Sequence, residues 1–115
     1  LYVSSDLTLL HLTFQNIIEN AVKYKDTTKN ECHLKIIIEK YNERPSIRFQ
    51  DNGIGISESH IQNIFKMFYR IQGTNKQISG SGLGLFIVKR SLDRLHIDID
   101  VQSQENIGTT IRLIF

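Results

Sequence analysis

The stretch from Asp6 to Tyr24 limits the architecture of this chain more than any other. At about 100° per residue, Leu10, Phe14, Ile17, Ile18 and Ala21 gather on one side of a helix. Asn16, Asn20 and Lys23 gather on nearly the opposite side. Asp6 has the right chemistry to cap that helix, which the pattern predicts from Leu7 to about Tyr24. A one-sided apolar helix must bury its face against a second layer. The remaining chain offers one. His33–Tyr41 (HLKIIIEKY) and Ser46–Asp51 (SIRFQD) read as two strands of an antiparallel hairpin, with a turn at Asn42–Pro45. Residues 1–5 read as the end of a further strand, and a short helix is expected from Ser57 to about Met67. A second long helix covers Leu83 to about Leu95, and His96–Gln102 and Thr109–Phe115 read as strands around an Asn106–Gly108 turn. This order implies an α+β two-layer sandwich, with helices on one face of a mixed sheet.

Composition narrows the function classes. The 115 residues suit one domain with one core, and 40% hydrophobic with 23% charged residues is an ordinary globular balance. The net charge of +2 is not gathered into a basic stripe, which argues against a nucleic-acid binder. No apolar run has the length of a membrane span, and no signal peptide is visible. The single cysteine, Cys32, cannot form an internal disulfide; it reads as a small half-buried residue in a reducing compartment. The chain opens on Leu1 and not on methionine, which suggests an excised fragment.

Four segments could carry chemistry. Asn16 and Asn20 lie one helical turn apart, and Lys23 and Tyr24 continue their side. Such a stripe can be merely solvated. One amide oxygen together with nucleotide phosphates would also suffice for magnesium, which prefers oxygen ligands and keeps most of its waters. Asp51-Asn52-Gly53-Ile54-Gly55 follows a strand; it is either an ordinary turn or a corner where backbone approaches a flat ligand. An ionised aspartate there accepts hydrogen bonds only, so it suits the exocyclic amine of adenine and repels the oxygen guanine presents. Gly80-Ser81-Gly82-Leu83-Gly84-Leu85 runs straight into a helix, where inward-facing amides and the helix N-terminus make a phosphate cradle. It is neither a P-loop, lacking Gly-Lys-Ser/Thr, nor a dinucleotide fingerprint. Phe65-Lys66-Met67-Phe68-Tyr69-Arg70 lies between; Phe65 and Phe68 have the spacing of core packing, and Arg70 is a candidate to reach a terminal phosphate. Residues 71–82 form a polar, glycine-rich loop. His11, His33, His60 and His96 show no metal spacing and read as structural or surface residues.

The order of these segments resembles the N, G1, F and G2 boxes of histidine-kinase ATP-binding domains. The wider family, of Bergerat-type fold, includes DNA gyrase, heat-shock chaperone and mismatch-repair ATPases. The resemblance spans residues 6–115. It implies three helices over a five-stranded mixed sheet, with Mg-ATP between the helices and a lid over roughly residues 70–82. It further implies Asn20 as magnesium ligand, Lys23 as phosphate contact, Tyr24 against the base and Asp51 on the adenine amine. Gly53, Gly55, Ile56, Phe65, Phe68 and Thr109 would line the nucleotide. Gly80, Gly82, Leu83, Gly84 and Leu85 would supply phosphate-facing backbone, and Arg70 the terminal phosphate contact. ATPases of the family place a glutamate four residues before the magnesium asparagine, as general base for water. Asn16 stands there in this chain, and an asparagine takes no proton at neutral pH. A kinase is therefore favoured over a hydrolase.

On this reading, residues 1–115 are the catalytic domain of a larger sensor kinase. It would pass the γ-phosphoryl group to a histidine on a separate dimerisation domain of the same parent, with a response regulator downstream. That places it in the cytoplasm without direct membrane contact, although the parent could be membrane-anchored. Two alternatives share the fold: a non-catalytic nucleotide-sensing module, and an anti-sigma-type serine kinase. The box at residues 65–70 departs from many relatives, with Lys66-Met67 in place of Glu-Pro.

Overall fold

A computed structural model describes residues 2–66 and 84–115. The expectations for Phe68, Arg70, Gly80, Gly82, Leu83 and the lid lie outside the described residues. Along the chain come α1 (Leu7–Lys23), β1 (Leu34–Tyr41), β2 (Arg44–Asp51), α2 (Glu58–Ile61), α3 (Gly84–Leu95), β3 (Asp98–Gln104) and β4 (Gly108–Ile114). The strands form one sheet in the order β1-β2-β4-β3.

The resemblance implies a five-stranded mixed sheet. Among the described residues there are four strands, and every pairing is antiparallel. Residues 2–5, expected as a strand end, form no strand. The β1–β2 turn is also tighter than expected. Tyr41 pairs with Arg44, and Asn42 and Glu43 have φ of 51° and 66°. Two positive φ angles make the two-residue loop whose twist matches that of the strands it joins. Arg44 and Pro45 thus belong to β2. Proline is tolerated near the strand start because only its carbonyl is used, accepting from the Phe115 N–H at 2.9 Å.

Alternation along the strands sends Phe49, Ile111 and Leu113 to the helices, where they meet Ile17, Val88, Leu92 and Ile97. The Phe14 ring lies 5.7 Å from that of Phe49, tilted by 49°. The Asp6 side chain caps α1 by accepting from the Leu9 N–H at 3.0 Å. The buried stripe of α1 is rotated from its sequence expectation. Thr13 is fully buried, its hydroxyl donating to the Leu9 carbonyl at 2.8 Å, whereas Ile18 is 37% exposed. α3 packs against α1, with Gly84 beside Asn16 and Asn20 and with Val88 and Leu92 in one cluster with Ile17, which extends the covered face to that side.

The end of α3 closes as a Schellman motif. The Ile97 N–H reaches back to the Leu92 carbonyl at 3.0 Å and the His96 N–H to that of Asp93 at 3.3 Å. His96 supplies the left-handed residue, with φ of 56°. Leu92 and Ile97 are both buried, providing the apolar contact this motif favours. On the opposite sheet face Arg48 stands directly across from Arg112. Glu39 offsets the repulsion, with one oxygen 2.9 Å from Arg48 Nε and 3.5 Å from Arg112. The Arg48 hydrogen bond holds the Glu39 carboxyl below the usual carboxylate range. Arg112 also lies over the Tyr41 ring at 4.2 Å.

Candidate functional site

Three of the four segments singled out in the sequence meet at one end of the helix layer. The first contact joins α1 to the start of α3. Asn16 spends its Nδ2 on the Leu12 carbonyl at 2.8 Å, which leaves its oxygen toward Gly84. Gly84 sits against both amides: a methyl group there would lie 3.2 Å from Asn16 Oδ1 and 3.7 Å from Asn20 Nδ2. Asn20 Nδ2 is buried and has no hydrogen-bond partner among the described residues. A buried amide donor left unpaired costs about 1–3 kcal/mol, so this site is incomplete as it stands.

The second contact joins α1 to the Asp-x-Gly corner. Tyr24 caps the helix, its N–H donating to the Asn20 carbonyl at 3.0 Å, and its own carbonyl accepts from Ile54 N at 3.0 Å. Gly53 presses on the same carbonyl, and a Cβ there would stand 2.4 Å from the oxygen. No side chain fits. Gly55 has φ of +73°, which glycine adopts freely, and lies on the Gln104 carbonyl.

The third element is Asp51, at the end of β2. Its Oδ1 accepts from Gly53 N at 2.8 Å and from Thr109 N at 3.1 Å. Oδ2 takes no hydrogen bond from the described residues. The carboxylate is thus anchored by one oxygen and presents the other. Thr109 is the second residue of β4, and its N–H places it in direct contact with Asp51. The Thr109 hydroxyl is 2.7 Å from the Ser103 hydroxyl, which also accepts from Ile56 N at 2.7 Å.

The other expected residues are less tightly joined. Lys23 is exposed in the last turn of α1, Tyr24 and Leu85 are half-buried, and so is Phe65, beside the buried Ile64. Cys32 is exposed, correcting the half-buried expectation; its thiol lies 3.4 Å from the Asp26 carbonyl. No cluster of three histidine, cysteine or acidic side chains that could hold a metal occurs among the described residues. None of the described helices is long and apolar enough to cross a membrane.

Four residues escaped the sequence reading. In the sequence Asn52 reads only as part of a turn, yet its side chain accepts from His33 N at 2.9 Å and donates to the Glu31 carbonyl at 2.7 Å. Lys29 looked like one more loop lysine, yet its ammonium reaches the carbonyls of Asn52 at 2.7 Å, Ile107 at 3.1 Å and Gly53 at 3.4 Å. Ser103 donates to the Gly108 carbonyl at 3.0 Å. Gly108 itself lies so close to Asp51 that a Cβ would stand 2.1 Å from its backbone oxygen. Only Gly108 carried a local signal, as a turn glycine; the others depend on folds of backbone that no spacing encodes. Beneath the corner, buried Asp26 accepts from the Thr28 hydroxyl at 2.5 Å and the Thr28 N–H at 3.0 Å. These bonds, the hydroxyl first, hold its carboxyl below the usual range.

Residues 5–115 match the family described as histidine kinase-, DNA gyrase B- and HSP90-like ATPase. The phosphate regulon sensor protein PhoR of Haemophilus influenzae is 34% identical over 106 residues, 91% of this chain and 24% of that protein. Sensor histidine kinase YkoH of Bacillus subtilis is 33% identical over 116 residues, 100% of this chain and 24% of its own length. The chain therefore spans about a quarter of these curated relatives. The solved mycobacterial sensor histidine kinase MprB superposes with a TM-score of 0.78 at 23% identity, covering 96% of this chain and 71% of that one, a likeness of fold. With the amide pair, the anchored aspartate and the glycine corners in one place, the chain belongs to the histidine kinase-, DNA gyrase B- and HSP90-like ATPase family.

Proposed function

We propose that this chain binds Mg-ATP and transfers its γ-phosphoryl group to a histidine on a separate domain of its parent protein, in two-component signalling. The observation that carries the reading is the meeting of Asn16, Asn20 and Gly84 on one side and Asp51 with Gly53 on the other, linked through Tyr24. Asp51 Oδ2 takes the adenine amine, with Tyr24 against the base and Thr109 beside it. Gly84 and Leu85, continuing the run from Gly80, present backbone to the phosphates. Gly55, Ile56, Phe65 and Phe68 complete the lining, while Lys23 and Arg70 contact phosphate.

Asn20 would offer its amide oxygen to a magnesium ion that arrives with the nucleotide, and its orphaned, buried Nδ2, a donor, fits a phosphate oxygen of that nucleotide. Bound there, the ion would neutralise phosphate charge during transfer. Asn16 cannot deprotonate water, and its nitrogen is already committed to Leu12, so hydrolysis lacks a base. The chain's own part is to bind, orient and exclude water. Relatives named as sensor histidine kinases support the acceptor being histidine, and their greater length supports a phosphoacceptor domain outside this chain. A response regulator and a cytoplasmic setting follow from the same reading, with residues 1–115 as one domain. The outer edge of β1, where Ile36 and Ile38 are 51% and 68% exposed, suits the fifth strand of the mixed sheet.

The test is transfer of label from γ-labelled ATP to the parent's histidine-containing hairpin. Acid-labile, alkali-stable phosphate on the hairpin is the expected product. Nucleotide binding without any label would leave a sensing module instead, and acid-stable phosphoserine would point to a serine kinase.

A further inference from the structure

We infer that Lys29 is a positioning residue for base recognition, acting on Asp51 through a single peptide unit. The inference rests on the proposed adenine contact of Asp51. The carbonyl of Asn52 and the N–H of Gly53 belong to one planar amide. Lys29 Nζ donates to that carbonyl at 2.7 Å, and that N–H donates to Asp51 Oδ1 at 2.8 Å. A cation on the oxygen draws density from the nitrogen, so the N–H becomes a stronger donor to the carboxylate. Charge is thereby delivered to Asp51 without an ion pair that would consume Oδ2.

The other anchor of Oδ1 is built the same way. The Thr109 N–H donates to it at 3.1 Å, and the carbonyl of that peptide unit, on Gly108, accepts from the Ser103 hydroxyl at 3.0 Å. One oxygen is thus held by two peptide units, each drawn from behind by a side chain. Lys29 is the charged one of the two. Its remaining bonds, to Ile107 at 3.1 Å and Gly53 at 3.4 Å, use all three ammonium donors and tie the β3–β4 turn to the corner.

The loop that carries Lys29 is itself fixed. The Thr28 bonds to Asp26, the Lys29 N–H to the Asp26 carbonyl at 3.2 Å, and the Asn52 side chain between Glu31 and His33 hold it under the corner. Among the described residues only carbonyls hydrogen-bond the ammonium, and its charge also acts on the Asp26 carboxylate without an ion-pair contact.

The test measures binding of Mg-ADP and of the magnesium diphosphate of purine riboside, which lacks the 6-amino group, to the 115-residue chain and its variants. Lys29→Met should lower the preference for ADP over the unsubstituted purine roughly 2- to 10-fold, the worth of one hydrogen bond. Lys29→Arg should restore it, and Lys29→Gln, which keeps a donor without charge, should fall between. If Lys29→Met does not fold, the Gln and Arg variants decide alone. Equal loss on both nucleotides, or no loss, overturns the inference, because a merely structural lysine would not discriminate. Asp51→Asn in the same panel separates the layers. Failure of the wild type to prefer ADP would sink the Asp51 contact itself, whereas a preference lost in Asp51→Asn but kept in Lys29→Met and Lys29→Gln would sink Lys29 only.

Discussion

Replacing Asp51 by asparagine changes one atom, and the surroundings dictate which way the amide must point. Oδ1 accepts two backbone N–H groups, from Gly53 at 2.8 Å and Thr109 at 3.1 Å. An NH2 in that position would face two donors, so the asparagine oxygen must stay there and the nitrogen must take the place of Oδ2. The atom offered to the base then becomes a donor. Adenine's amine, also a donor, loses its acceptor and meets a like partner. Leaving such a group unsatisfied in a partly buried pocket costs about 1–3 kcal/mol, or about 5- to 150-fold in affinity. Guanine presents an oxygen at that place, so its exclusion should relax while adenine weakens. Calorimetry with Mg-ADP and Mg-GDP on both proteins reads these changes, with thermal melts confirming that both are folded. If Asp51→Asn bound Mg-ADP within twofold of the wild type, the assignment of Oδ2 to the base would be refuted.

Other consequences are as direct. Gly53→Ala forces a methyl to 2.4 Å from the Tyr24 carbonyl, and urea titration should show at least about 2 kcal/mol of lost stability. His96→Gly relieves a left-handed residue in the Schellman turn and should raise stability by about 0.5–1 kcal/mol in the same assay. Asp26 and Glu39 have carboxyls held below their unfolded range, so each contributes stability above about pH 4 that fades as pH falls through the folded value. Asp26→Asn should therefore flatten the acid limb of a stability–pH curve; a limb as steep as the wild type's would contradict the Thr28 hydrogen bonds as its source.

Much of this is legible in the sequence itself. Asp6 as cap, the α1 face of Leu10, Phe14 and Ile17, and the β1–β2 hairpin follow from periodicity and capping chemistry, which are local. Thr13 was missed because its burial is imposed by α3, a neighbour far along the chain. Pro45 reads as a turn residue, yet a missing N–H is harmful only where a partner strand requires it, and here the Phe115 N–H needs only its carbonyl. The fifth strand was expected from residues 1–5, which carry no periodicity strong enough to decide the matter. In the site, Asn16, Asn20, Asp51 and Gly53 were legible because their chemistry and spacing are unusual together. Lys29 and Ser103 were not, since each works through a peptide carbonyl and any donor of the right reach would look the same in one dimension.

The two N–H groups that grip Asp51 come from residues 53 and 109, on either side of one end of the β2–β4 seam. Neither hairpin alone contains the receptor for a base. It comes into being only when two hairpins, whose Asp51 and Thr109 stand 58 apart in the chain, have been zipped together, late in assembly. Half-folded molecules should be blind to nucleotide, and added ligand should reward only finished ones, making affinity a sensitive gauge of correctly completed protein.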